Sequence, residues 1–132
     1  MAKHYLFVCA ANVDRSPTAE LMMKEMAEQQ GFDLEVRSAG LFVVAEDGIP
    51  IFGASRSVQL TREPCDWADE IWAMETWHVG IVVRRYGQPA EKVKSLDVPD
   101  HFTRGSHQLG HMLRPRLQAI LESPVASDGT PP

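Results

Sequence analysis

Cysteine is scarce. Cys9 and Cys65 are the only two in 132 residues, and they lie far apart. That argues against a disulfide framework and fits a reducing compartment, so the expected location is the cytoplasm. Long apolar runs are also missing. None reaches the ~18 residues of a membrane span, and the apolar run within "MAKHYLFVCAAN" is too short for a secretory leader. There is no dense block of Lys and Arg. The balance of 13 basic against 18 acidic residues leaves a net charge of −5, so neither nucleic acid nor a membrane surface is an expected partner. No internal repeat occurs, and the only low-complexity stretch is "SPVASDGTPP" (123–132), read as a flexible tail. What remains is a chain that is 44% hydrophobic, enough for one domain with one ordinary core over residues 1–122.

Strand and helix signals alternate along that domain. "YLFVC" (5–9) is an uncharged run of β-formers, as in a strand covered on both faces. Pro17 suits the first turn of a helix, with Ser16 as its cap. The stripe Ala19, Met22, Met23, Met26 and Ala27 continues that helix, and Gly31 is placed to stop it. A second strand is expected within 32–40, ending near Ser38, then mainly loop over 41–60. A short helix follows over 61–68 with Thr61 as cap, and a third strand over 69–74. Residues 75–86 read as a helix weakened by Gly80, and 91–98 as a fourth strand. A last helix over 106–122 should bend or break near Pro115. This alternation predicts an α/β fold, a three-layer, doubly wound, four-stranded parallel sheet; the strand order expected for it is 2-1-3-4. Ligands of such sheets sit beyond the carboxyl ends of the strands, and Cys9 stands at such an end.

The loop after Cys9 is suited to an anion. It links a strand to a helix N-terminus, where unpaired backbone N–H groups converge. If residues 10–15 curl around one point, their amides form a nest. Ala10 and Ala11 let an oxyanion approach the backbone, and Asn12 tolerates positive φ. Arg15 can grip two oxygens with its planar fork. Val13 and Asp14 complete the cradle. The amides, the helix dipole and Arg15 would favour a thiolate at Cys9, a nucleophile aimed at bound phosphorus. Ser16 could donate to that sulfur and improve it as a leaving group.

"FVCAANVDRSPTAE" resembles the signature of the low-molecular-weight protein tyrosine phosphatases, Val-Cys-x-Gly-Asn-x-Cys-Arg-Ser-Pro. "RSAG" (37–40), "WADEIWAME" (67–75) and "DVPDHF" (97–102) resemble further family segments in order. The nearest likeness is to a short bacterial branch of predicted protein tyrosine phosphatases. The resemblance spans roughly residues 5 to 121. It implies a phosphomonoesterase, with tyrosine or aryl phosphate as substrate and no metal or organic cofactor. It further implies a cysteinyl-phosphate formed on Cys9, oxygens held by Arg15, and Asp100 as general acid and base. Phosphorylated protein or a small aryl phosphate is then the partner, and oligomeric state is not readable. The chain departs from the family at Ala11, which replaces a glycine, at Asp14, which replaces a second cysteine, and at His101, which replaces a proline.

Other readings stay open at this point. Asp97 is an alternative acid. Phe42 and Phe102 could rim the cleft, whereas Trp67, Trp72 and Trp77 read as packing residues with partial exposure. His107 and His111 have metal spacing but no third ligand. Cys65 reads as a half-buried thiol, and Arg84-Arg85 as a solvated helix end. The cradle could instead bind phosphate or a phosphoprotein without catalysis. Thiol-dependent arsenate reductases share it too, but their internal relay needs two further cysteines, so only a relay through an external thiol remains.

Overall fold

Strand β1 (Lys3–Cys9) is central, with its last five residues buried. The computed structural model describes residues 2–10, 12, 15–42, 58–99 and 106–123. After β1 come α1 (Arg15–Gln30), β2 (Leu34–Gly40), α2 (Arg62–Trp67), β3 (Glu70–Ala73) and α3 (Thr76–Arg85). A 3-10 turn (Ala90–Lys92), β4 (Val93–Ser95) and α4 (His107–Leu121) complete the order. The sheet runs β2-β1-β3-β4, and every pairing is parallel. This is the expected order and direction.

The alternation of β1 assigns its side chains to two cores. Tyr5, Phe7 and Cys9 join Met23, Met26, Leu109, Leu113 and Leu117 beneath α1 and α4. Leu6 and Val8 join Ile71, Cys65 and Val82 beneath α2 and α3. Each fully buried large side chain contributes about 1.5–3 kcal/mol, so the sheet is held from both sides.

Several boundaries differ from the sequence reading. Helix α1 starts at Arg15 and contains Ser16, whose side chain is taken up by Cys9 and Asn12 rather than capping the helix. Gly31 ends α1 at φ +79°, a left-handed conformation natural to glycine. Strand β4 has three residues, because a 3-10 turn capped by Pro89 takes the preceding ones. Helix α4 runs unbroken through Pro115. The lost N–H would have served the carbonyl of the exposed His111, while the buried stripe Leu109, Leu113, Leu117 and Ile120 offsets the ~3 kcal/mol that an interior proline costs. Cys65 is fully buried, not half-buried. Nine of the ten residues read as a tail, 124–132, lie outside the described residues.

Candidate active site

The carboxyl ends of the strands bring distant segments together. Cys9 pairs with Gly40 in β2. The Met74 amide, just past β3, donates to Val8 O at 2.9 Å, and the Val98 amide to Met74 O at 2.7 Å. The residues that follow each strand therefore face the loop between β1 and α1.

Cys9 is 3% exposed, yet its sulfur is not in a purely apolar setting. The Asn12 amide donates to Sγ at 3.2 Å, and Ser16 Oγ lies 3.0 Å from it. Asn12 Nδ2 donates to Ser16 Oγ at 2.8 Å. With that lone pair occupied, the Ser16 hydroxyl proton is free to turn toward the sulfur. Asn12 turns the chain at φ 56°, where asparagine is among the few residues tolerated.

Asn12 also ties the loop to two other segments. Its Nδ2 reaches Ser38 Oγ at 3.0 Å, and its Oδ1 accepts from the Val58 amide at 2.8 Å. Ser38 in turn donates to Glu20 Oε1 at 2.6 Å. Asn12 is thus held by Ser16 of α1, by Ser38 of β2 and by the Val58 amide.

Arg15 is 2% exposed. Its Nη1 donates to Glu75 Oε2 at 2.5 Å and to Val98 O at 2.8 Å. Glu75 caps α3: its side chain accepts from the His78 backbone N–H, and its own N–H donates to His78 Nδ1 at 3.1 Å. Because Nδ1 accepts, the neutral imidazole carries its proton on Nε2, which lies 4.0 Å from Glu75 Oε2. The hydrogen bond from Arg15 holds the Glu75 carboxyl below its ordinary range.

Among the sequence candidates, the structure brings Cys9, Ala10, Asn12, Arg15 and Ser16 into one neighbourhood. The Ala10 carbonyl accepts from the Phe42 amide at 2.8 Å. Ala11, Val13, Asp14, Asp100, His101 and Phe102 lie outside the described residues. Asp97 stands at φ 57°. Its Oδ1 accepts from Ser95 Oγ at 2.9 Å and Thr76 Oγ1 at 3.4 Å, and it shares a cleft with Glu75, Thr76, Trp77 and Pro99. Among the described residues, no group of three His, Cys, Asp or Glu is arranged to hold a metal ion. His107 and His111 stand apart on α4, with ring centroids 6.3 Å from each other. No helix among the described residues is long and apolar enough to cross a membrane.

Sequence reasoning missed Glu75, Ser38 and Glu20. Glu75 followed by His78 is a local capping pattern and was legible as such, but its contact with Arg15 was not. Ser38 lay in the recognised "RSAG" segment with no partner in view. Trp77 is half exposed, in keeping with a reading of packing with partial exposure, and lines the cleft that holds Asp97.

Comparison with known proteins gives a consistent result. A family model described as low molecular weight phosphotyrosine protein phosphatase matches residues 4–116. A protein-arginine-phosphatase of Geobacillus stearothermophilus is 34% identical, over 92% of this chain and 93% of its own length. The solution structure of a low molecular weight protein tyrosine phosphatase from Bacillus subtilis is 31% identical with a TM-score of 0.69, covering 89% of this chain and 91% of that one. A structure of the YwlE arginine phosphatase mutant, bearing a phosphorylated active-site serine, is 26% identical with a TM-score of 0.72. It covers 93% of this chain and 99% of that one.

Proposed function

The chain belongs to the low molecular weight phosphotyrosine protein phosphatase family, and from that premise we propose that Cys9 is the nucleophile of a phosphomonoester hydrolase acting on tyrosine or aryl phosphate. The observation that carries this reading is the sulfur itself: a thiol at the end of a central strand, met by the Asn12 amide and by Ser16 Oγ at 3.2 and 3.0 Å, with Arg15 the first residue of the helix that follows.

In the proposed reaction Cys9 Sγ attacks phosphorus. An S–P bond forms and the P–O bond to the aryl group breaks. Asp100 donates its proton to the leaving oxygen, then accepts one from water as that water attacks phosphorus. The S–P bond breaks, inorganic phosphate leaves and the thiolate returns. Arg15 and the amides of residues 10–15, including those of Ala11, Val13 and Asp14, hold the equatorial oxygens as charge develops. Asn12 and Ser16 keep the loop in shape, and Ser16 stabilises the departing sulfur. No metal or organic cofactor enters these steps. The phosphorylated active-site serine of the YwlE mutant supports a covalent route. The domain would span residues 1–122 with 123–132 as a tail, in a reducing cytoplasm that suits two thiols outside any disulfide.

A second reading, arginine phosphate as substrate, is favoured by the name of the Geobacillus stearothermophilus relative. There the broken bond is P–N, and the proton goes to nitrogen.

The test is release of phosphate from 4-nitrophenyl phosphate and from phosphotyrosyl and phosphoarginyl peptides, with vanadate as competitor. Turnover by the parent and none by Cys9→Ser supports the nucleophile. Binding without turnover in both proteins would point to a recognition module, and arsenate-dependent thiol oxidation to a reductase. Asp100→Asn should lose more activity than Asp97→Asn, and the reverse order moves the acid role to Asp97.

A further inference from the structure

Among the described residues, five large apolar side chains stand exposed, and Phe42, Val58 and Trp77 are three of them, each about half accessible. Two of them are bonded to residues just after Cys9, and the third follows the partner of Arg15. The Phe42 amide donates to Ala10 O at 2.8 Å. The Val58 amide donates to Asn12 Oδ1 at 2.8 Å. Trp77 lies in the first turn of α3, two residues after Glu75, the partner of Arg15. Trp77 lines a cleft with Glu75, Thr76, Asp97 and Pro99, and exposed apolar surface rimmed by polar groups is the kind that meets a ligand.

The two rings are also held in place. Phe42 and Trp77 are nearly parallel, with an interplanar angle of 10° and centroids 6.5 Å apart. Trp77 rests edge-on against the fully buried His78, at 4.2 Å and 66°. His78 is locked by the Glu75 amide, and Glu75 is bound to Arg15. One short chain of contacts therefore fixes the indole relative to the guanidinium. A mobile surface aromatic would have no such backing.

We propose that Trp77, with Phe42, is a specificity-determining wall that selects substrates whose phosphoryl group is carried on a flat, delocalised group. This rests on the phosphatase reading of the same site. A phosphate seated over Cys9 directs the group that carries it outward past these rings. A phenyl ring gains stacking there, and a planar guanidinium gains stacking with a cation–π component. A saturated serine or threonine carbon gains neither. Phenyl and guanidinium share planarity, so the experiment has to separate them.

Trp77→Ala and Trp77→Phe are made in the full chain. kcat/KM is measured on one peptide sequence carrying phosphotyrosine, phosphoarginine or phosphoserine, and binding of the same peptides is measured by calorimetry in the Cys9→Ser background. Trp77→Ala should lower the preference for a planar carrier over phosphoserine about five- to tenfold, mainly through KM. Trp77→Phe should restore most of it, and affinity for inorganic phosphate should stay within twofold or so. The planar peptide whose binding falls further identifies the favoured carrier. Equal weakening of all three peptides, or a parallel loss of phosphate affinity, would overturn the proposal. If the parent turns over none of the peptides, the catalytic reading fails, while the binding arm still decides the wall.

Discussion

Arg15 and Glu75, sixty residues apart in the chain, meet at 2.5 Å, the arginine buried and the glutamate partly exposed. Glu75 simultaneously caps α3, so the start of one helix is pinned to the start of another. The contact fixes where the guanidinium can point, and the same Nη1 also donates to the Val98 carbonyl at 2.8 Å.

Glu75→Gln keeps the shape of the cap but removes the charge. A slightly misplaced Arg15 should lower kcat about 10- to 100-fold, with a smaller change in KM. The stability effect has a defined sign. The hydrogen bond from Arg15 depresses the Glu75 carboxyl below its ordinary 4.5. Its contribution is therefore present above that value and lost as pH falls through the lowered one. The urea midpoints of parent and variant should be furthest apart near neutrality and converge in acid. A constant gap at all pH values would exclude the ion pair as the cause.

Asn12 combines a left-handed backbone, at φ 56°, with hydrogen bonds to Cys9, Ser16, Ser38 and Val58. Asn12→Ala loses the side-chain bonds and adds backbone strain, and should cost about 2–4 kcal/mol. Asn12→Gly loses the same bonds without the strain and should recover about 1 kcal/mol of that. Urea denaturation of the two variants measures the difference. Equal losses would mean that the backbone conformation carries no cost.

Ser16 accepts from Asn12 and faces the Cys9 sulfur at 3.0 Å. Ser16→Ala should slow breakdown of the cysteinyl-phosphate more than its formation, by about 10-fold or more. Rapid-mixing experiments with 4-nitrophenyl phosphate should then show a burst of phenolate larger than in the parent. A slower burst with no gain in amplitude would assign Ser16 to the first step instead.

Burial pushes the Cys65 thiol up from 9.0 to about 11, with Lys92 acting in the opposite direction. Because the folded-state value is raised, this group's contribution is complete below about pH 9 and is lost as pH rises toward 11. Cys65→Ala should remove that alkaline decline, worth on the order of 1–3 kcal/mol, while costing a little packing at neutral pH. Thiol alkylation of the native protein at pH 8 should leave Cys65 unmodified, and rapid labelling of Cys65 there would contradict its burial.

The sequence by itself determined the parallel sheet with helices on both faces and the place of Cys9 at a strand's carboxyl end. Those features are written in local terms: the uncharged strand "YLFVC", the small residues and asparagine that follow, the Arg-Ser-Pro helix start, and the alternation that forces helices onto both faces. Local rules were less decisive where packing competes with them. Pro115 predicted a break in the last helix, but three leucines and an isoleucine on one face keep that helix whole. Only the tertiary structure decided which distant groups hold the loop. Glu75, Ser38 and the Val98 carbonyl have no sequence signal for their partners, because each contact arises where neighbouring parallel strands end side by side. Side-chain period and turn chemistry act over a few residues, whereas the meeting of Arg15 with Glu75, or of Phe42 with Trp77, depends on strand register and on which core covers which face.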